Sequence, residues 1–118
     1  MKKTFFTFLI LSLGISANAE YITNCKVERL SGEVLRQKTI NLPKMGSPGV
    51  HFEGLYDVGS AYYGFSLPFD LNLSNAGIYK GHPSGGGTMF DISLQGDISK
   101  SPLSMTDLIE DIKISCTR

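Results

Sequence analysis

Few side chains in this sequence have types and spacings that could do chemistry, and several of them lie in one stretch, GHPSGGGTMF at residues 81–90. His82, Ser84 and, just beyond, Asp91 are the types needed for a general base, a nucleophile and an orienting carboxylate. Closeness in sequence supports that reading weakly, because such a triad is made by geometry and not by chain order. Gly85, Gly86 and Gly87 could turn successive backbone amides toward an anion. The lysine and Ser/Thr of a phosphate-binding loop are missing, however, and no helix start follows to add a dipole. The simpler reading is a presented loop over 81–87, stiffened at one end by Pro83 and freed at the other by glycine. His82, Ser84, Gly85, Gly86 and Gly87 are then candidate binding residues, and His51, the second of the two histidines, is an alternative base.

Asp107, Glu110 and Asp111 could offer oxygens to calcium, but the EF-hand loop is absent and a solvated face near a helix start accounts for them. Cys25 and Cys116 lie close to the two ends of the chain, and neither they nor the isolated histidines form the close ligand pairs of a zinc site. No metal and no cofactor is expected. Among the tyrosines, Tyr63 shares the phase of a long apolar alternation and is assigned to the core, whereas Tyr62 has the opposite phase, with Asn72 and Ser74. Tyr62 therefore joins the candidate binding residues, because tyrosine on the outer face of a sheet suits contact with protein or carbohydrate. Burial in a modest core that has no tryptophan is the competing explanation for any one tyrosine.

These residues need a frame, and the chain announces where that frame begins. Lys2 and Lys3, an apolar run from Phe5 to Ile15, and Ala17-Asn18-Ala19 form the three regions of a cleaved secretion signal over 1–19. A membrane anchor fits less well, because the apolar run falls short of the roughly 18–20 residues that span a bilayer. Loss of the segment takes two lysines and no acids from a balanced chain, leaving it slightly acidic. That speaks against a nucleic-acid partner, which calls for a basic stripe. Residues 20–118 are expected to form one domain, and its two cysteines, bound for an oxidising compartment, are expected to pair as Cys25–Cys116.

Hydrophobic periodicity in that domain is two and not 3.6. Tyr21, Thr23, Cys25 and Val27 share one face of a first strand. Val34–Leu42, interrupted by Arg36 and Lys38, suits an edge strand. Val50, Phe52 and Tyr56 are expected on one face of a third strand. Ala61, Tyr63, Phe65, Leu67, Phe69, Leu71 and Leu73 alternate for longest, as one bent strand or as two meeting at Pro68. Ile78–Lys80 makes a short strand into the 81–87 loop, and Phe90, Ile92 and Leu94 mark the strand beyond it. Ser104 to Asp107 has a capping pattern, so one short helical turn is expected near 105–111. A last strand carries Ile112, Ile114 and Cys116. Six to eight short strands predict an all-β domain, a small antiparallel sandwich or barrel.

On this frame the expected function is an exported, periplasmic or secreted binding module, inhibitor-like and without catalytic activity, that recognises a protein or a glycan as a monomer or weak oligomer. Two alternatives stand beside it. One is a small secreted hydrolase using His82 or His51, and the other a subunit of a surface assembly joined through an edge strand.

Overall fold

The computed structural model describes residues 20–118. The expected signal lies outside the described residues. Eight strands form two four-stranded antiparallel sheets: β1 (Glu20–Glu28), β2 (Val34–Pro43), β3 (Val50–Val58), β4 (Ala61–Pro68), β5 (Ala76–Ser84), β6 (Gly87–Gly96), β7 (Leu103–Asp107) and β8 (Ile112–Thr117). One sheet has the order β2-β1-β8-β7, and the other is the meander β3-β4-β5-β6. The expected all-β class is therefore found, and of the two architectures it is the sandwich.

The first sheet holds both ends of the domain. On β1 the alternation expected from Tyr21, Thr23, Cys25 and Val27 is met residue by residue, all four being buried. Cys25 and Cys116 stand opposite each other on β1 and β8 and form the disulfide. The covalent link thus joins neighbouring strands within one sheet and closes nearly the whole domain into a loop. The second sheet contributes Tyr63, Phe65, Leu67, Ala76 and Ile78 to the shared core, where the Tyr21 and Phe65 rings stack with centroids 6.3 Å apart.

The two sheets are also joined by charge. On one side Lys38 of β2 pairs with Glu53 of β3 at 2.5 Å and donates to the Gly54 carbonyl at 3.1 Å. In the interior, Lys80 of β5 and the Tyr63 hydroxyl both donate to Oδ2 of Asp107, at 2.8 and 2.7 Å. Those two donors hold the Asp107 carboxyl down at about 2, with Lys80 the larger influence and burial opposing it. Burial, together with the facing carboxylate, pushes the Tyr63 phenol well above its ordinary value.

Four local expectations are corrected. The expected helical turn at 105–111 is strand β7 followed by a turn. Leu103, Met105 and Asp107 point inward in alternation, while Leu108 and Ile109, which resembled a helix face, are exposed at the tip. The capping signal was real but local: Oδ1 of Asp107 accepts from the Ile109 and Glu110 amides and so closes a turn. The long alternation neither bends nor restarts at Pro68. It ends there, and a 3-10 turn at Leu73–Asn75 follows. On β3 a bulge between Gly54 and Tyr56 breaks the phase, so Leu55 is buried whereas Val50 and Phe52 are exposed. The 81–87 loop shrinks to Gly85-Gly86, since Gly81–Ser84 belongs to β5 and Ser84 pairs with Gly87. Both glycines have positive φ, +57° and +83°, which a two-residue turn between right-twisted strands requires.

Candidate functional site

Among the described residues no layer covers the outer face of the second sheet, and its two central strands, β4 and β5, present mainly small residues there. β4 contributes Tyr62, Gly64 and Ser66, in the phase opposite to the buried Tyr63, Phe65 and Leu67. β5 contributes Gly77, Tyr79 and Gly81. In the register Gly64 lies beside Tyr79, Ser66 beside Gly77 and Tyr62 beside Gly81. A Cβ at Gly64 would overlap the hydroxyl end of the Tyr79 ring and crowd the Glu53 carbonyl at 2.8 Å, so the phenol end of Tyr79 rests against the glycine. Here glycine is required by a close approach and not by backbone angle.

The edge strands fold over this low centre. Phe52 of β3 stands beside Ser66, and Phe90 of β6 stands beside Gly81. Three strand spacings, about 14 Å, separate β3 from β6 in a flat sheet, yet the Phe52 and Phe90 ring centroids are 6.0 Å apart. The two rings lean toward each other over Tyr79, which meets Phe52 at 5.6 Å and Phe90 at 5.2 Å, both edge-on. Tyr62 completes the cluster at 6.3 Å from Tyr79. Tyr79 is consequently only 7% exposed on an uncovered face, while Phe52 and Phe90 remain 53% and 49% exposed. Burial raises the Tyr79 phenol above its usual value, with Tyr62 and Glu53 adding to the effect.

Beside the rings runs a groove of about 210 Å³, lined among others by Phe52, Tyr79, Phe90, Ser66, Ser93 and Gln95. Its walls are aromatic, and its hydrogen-bonding groups are hydroxyls and an amide, without a charged side chain among its lining residues. Such a site can stack on a flat ring and satisfy neutral polar groups at the ring's edge.

Of the candidate residues, the structure brings Tyr62 to this face. His82 is placed elsewhere. By alternation along β5 it has the phase of Lys80, opposite to Tyr79, and its Nδ1 pairs with the Asp91 carboxylate at 2.9 Å. Asp91 reaches it because β6 has an irregularity there, Lys80 pairing with Ile92 and Gly81 with Phe90. Ser84, Gly85, Gly86 and Gly87 form the exposed hairpin tip. Ser84 makes no hydrogen bond to His82 among the described residues. His51 binds Glu53 through Nε2 at 2.9 Å, and with Lys38 it draws the Glu53 carboxyl below its ordinary value, His51 contributing most. Of the acidic group, Asp107 is engaged by Lys80 and Tyr63, while Asp111 accepts from the Leu30 amide and pairs with Arg29 at 3.8 Å.

Phe52, Tyr79 and Phe90 are not among the candidate binding residues read from the sequence. The usable signal was the recurrence of small residues in one phase, Gly64 and Ser66 on one strand and Gly77 and Gly81 on the next. Consecutive strands that are flat on one face leave room for something to lie across them.

Comparison of the chain with protein-family models, with curated proteins and with solved structures finds no match.

Proposed function

We propose that this protein is an exported, non-enzymatic binding module that recognises a glycan through the aromatic face of the second sheet. The observation that carries the reading is the convergence of Phe52, Tyr79 and Phe90 over a glycine- and serine-lined groove that contains neutral polar groups. Monomeric proteins seldom leave contiguous apolar rings uncovered unless the patch serves a contact. A pyranose ring offers a C–H face to an aromatic wall and hydroxyls to Ser66, Ser93 and Gln95. The groove is smaller than the roughly 300–1,000 Å³ typical of sites that enclose a whole small molecule, so it suits one anchoring ring of a longer ligand. Export is supported by the signal pattern of residues 1–19 and by the buried disulfide.

Screening the purified protein against an oligosaccharide array tests this reading, with the Phe52→Ala/Phe90→Ala double variant as control. The wild type retains a defined set of glycans and the variant loses them. A wild type that binds no glycan but captures a protein through the same rings would move the reading to a protein ligand. The hydrolase alternative rests on the His82–Asp91 pair. A turnover that disappears in His82→Ala while the fold stays intact would support it against the binding module.

One observation favours assembly as a second reading. β6 is an edge strand of ten residues on which Met89, Phe90, Ile92 and Leu94 are all more than a third exposed, and between Gly87 and Gly96 it has neither lysine nor proline. Long apolar edges of this kind accept a further strand. Sedimentation over a wide concentration range decides the matter: a size that grows with concentration and reverts in Ile92→Lys favours assembly, and a constant monomer excludes it.

A further inference from the structure

We propose that the end of the sandwich between β2, β3 and the turn after β4 binds a single-chain amphiphile, its hydrocarbon in an apolar pocket and a zwitterionic head in an adjoining polar recess. This site is separate from the aromatic face and does not depend on it. The pocket holds about 340 Å³, and its walls include Leu42, Met45, His51, Pro68, Phe69 and Leu71. Of these only His51 has a polar side chain, and its Nε2 is held by Glu53 while its ring meets Phe69 edge-on at 6.2 Å. The volume would admit on the order of ten water molecules at about 30 Å³ each, and the walls would satisfy few of their hydrogen bonds. Hydrocarbon is the better filling, because it gives up its own hydration on entry.

The pocket is built and is not a gap left by a loose loop. The Met45 amide donates to the Phe69 carbonyl at 3.2 Å, and the Phe69 amide donates to the Gly49 carbonyl at 3.0 Å, lashing the 44–49 connection to the turn after β4. Gly49 has φ +130°, and a Cβ there would come within 3.1 Å of the Phe69 ring. Leu71, whose side chain lines the pocket, has φ +58°, a left-handed conformation that leucine rarely adopts and that the surroundings must hold in place.

The head is assigned from the other side of the same loop. A recess of about 480 Å³ shares Pro68 with the pocket and is lined also by Lys44, Ser47, Gly49 and Asp70. One cation and one anion, Lys44 and Asp70, line this recess; together they complement a head that carries both signs, and each would repel one of the two singly charged alternatives.

Isothermal titration calorimetry with dodecylphosphocholine, held below its micelle concentration, tests the proposal, with dodecyl sulfate, dodecyltrimethylammonium and free phosphocholine as parallel arms. The expected result is one site per chain for dodecylphosphocholine, at least tenfold weaker binding of the two singly charged chains, and no heat from the free head. Met45→Trp, on an exposed loop, fills the pocket and reduces affinity at least tenfold with an unchanged melting midpoint. Asp70→Asn, which keeps an acceptor for the Asn72 amide that Asp70 now caps at 3.0 Å, shifts preference severalfold toward dodecyl sulfate. The Phe52→Ala/Phe90→Ala variant binds as the wild type does. Absence of saturable binding, binding unchanged in Met45→Trp, or binding lost with the two phenylalanines would overturn the site. Equal affinity for all three amphiphiles would overturn the head.

Discussion

Among the described residues, Asp107 is the carboxylate that ties the two sheets together in the interior. Its two oxygens take Lys80, Tyr63 and two turn amides, so one carboxylate joins the sheets and shapes the β7–β8 turn. Because its folded value, about 2, lies below that of an unfolded aspartate, its contribution is complete above roughly pH 4 and disappears as pH falls from there to 2. Lys80 is shifted upward, chiefly by its bond to Asp107, so its contribution is present below its ordinary value and is lost only as strongly alkaline pH is reached. Urea unfolding at pH 5 and pH 2.5 should differ by on the order of 1–2 kcal/mol from Asp107 alone. In Asp107→Asn that part of the difference vanishes, and at neutral pH the variant is less stable by about 2–3 kcal/mol, the cost of leaving Lys80 without its partner in a largely buried place. Gly64 gives a second test at this scale. Gly64→Ala displaces the Tyr79 ring and presses on the Glu53 carbonyl of β3, and near-ultraviolet circular dichroism should report the loss of the ring cluster although no aromatic residue has been removed.

Among the elements, the β5–β6 hairpin shows what sequence can and cannot convey. Three glycines in a row signalled a break, and the alternation beyond it signalled a strand. Which two glycines turn was hidden, because Pro83 reads as loop and gives no sign that Gly81–Ser84 continue the strand. The structure makes Gly85 and Gly86 the turn, so replacing either with alanine should cost on the order of 1 kcal/mol by chemical denaturation. Asparagine, which tolerates positive φ, should cost less. β1 and the inner face of β4 were legible because they are central strands with one buried face. β3 and β6 were legible as strands but their faces were not, for a shared reason: each is an edge with a phase break, at Gly54/Tyr56 and beside Asp91. Phe52 and Phe90 thereby point outward although their sequence neighbours suggest a core. The 105–111 stretch misled differently, because Leu108 and Ile109 at an exposed hairpin tip mimic helical spacing. The candidate site was thus read in fragments. Tyr62 was found by its phase, and its neighbours were missed because their convergence depends on strand curvature that periodicity does not encode.

Over the whole molecule, the chain lays two strands in the first sheet, four in the second and two back in the first, and Cys25–Cys116 locks the beginning to the end. Closing a loop of this length contributes about 4 kcal/mol by restricting the unfolded chain. Reduction, or Cys25→Ala/Cys116→Ala, should lower the thermal midpoint by on the order of 20 °C in a domain of this size. The frame so obtained holds the four rings on the second sheet with no layer over them among the described residues, and binding is the use proposed for them. The most direct measurement is a calorimetric titration of the purified protein with the strongest oligosaccharide from the array, repeated with Phe52→Ala/Phe90→Ala. Predicted is saturable one-to-one binding that weakens at least tenfold in the variant, about 1.4 kcal/mol or more, at an unchanged fold. A variant that binds as tightly as the wild type, or a wild type that binds no glycan at all, would contradict it.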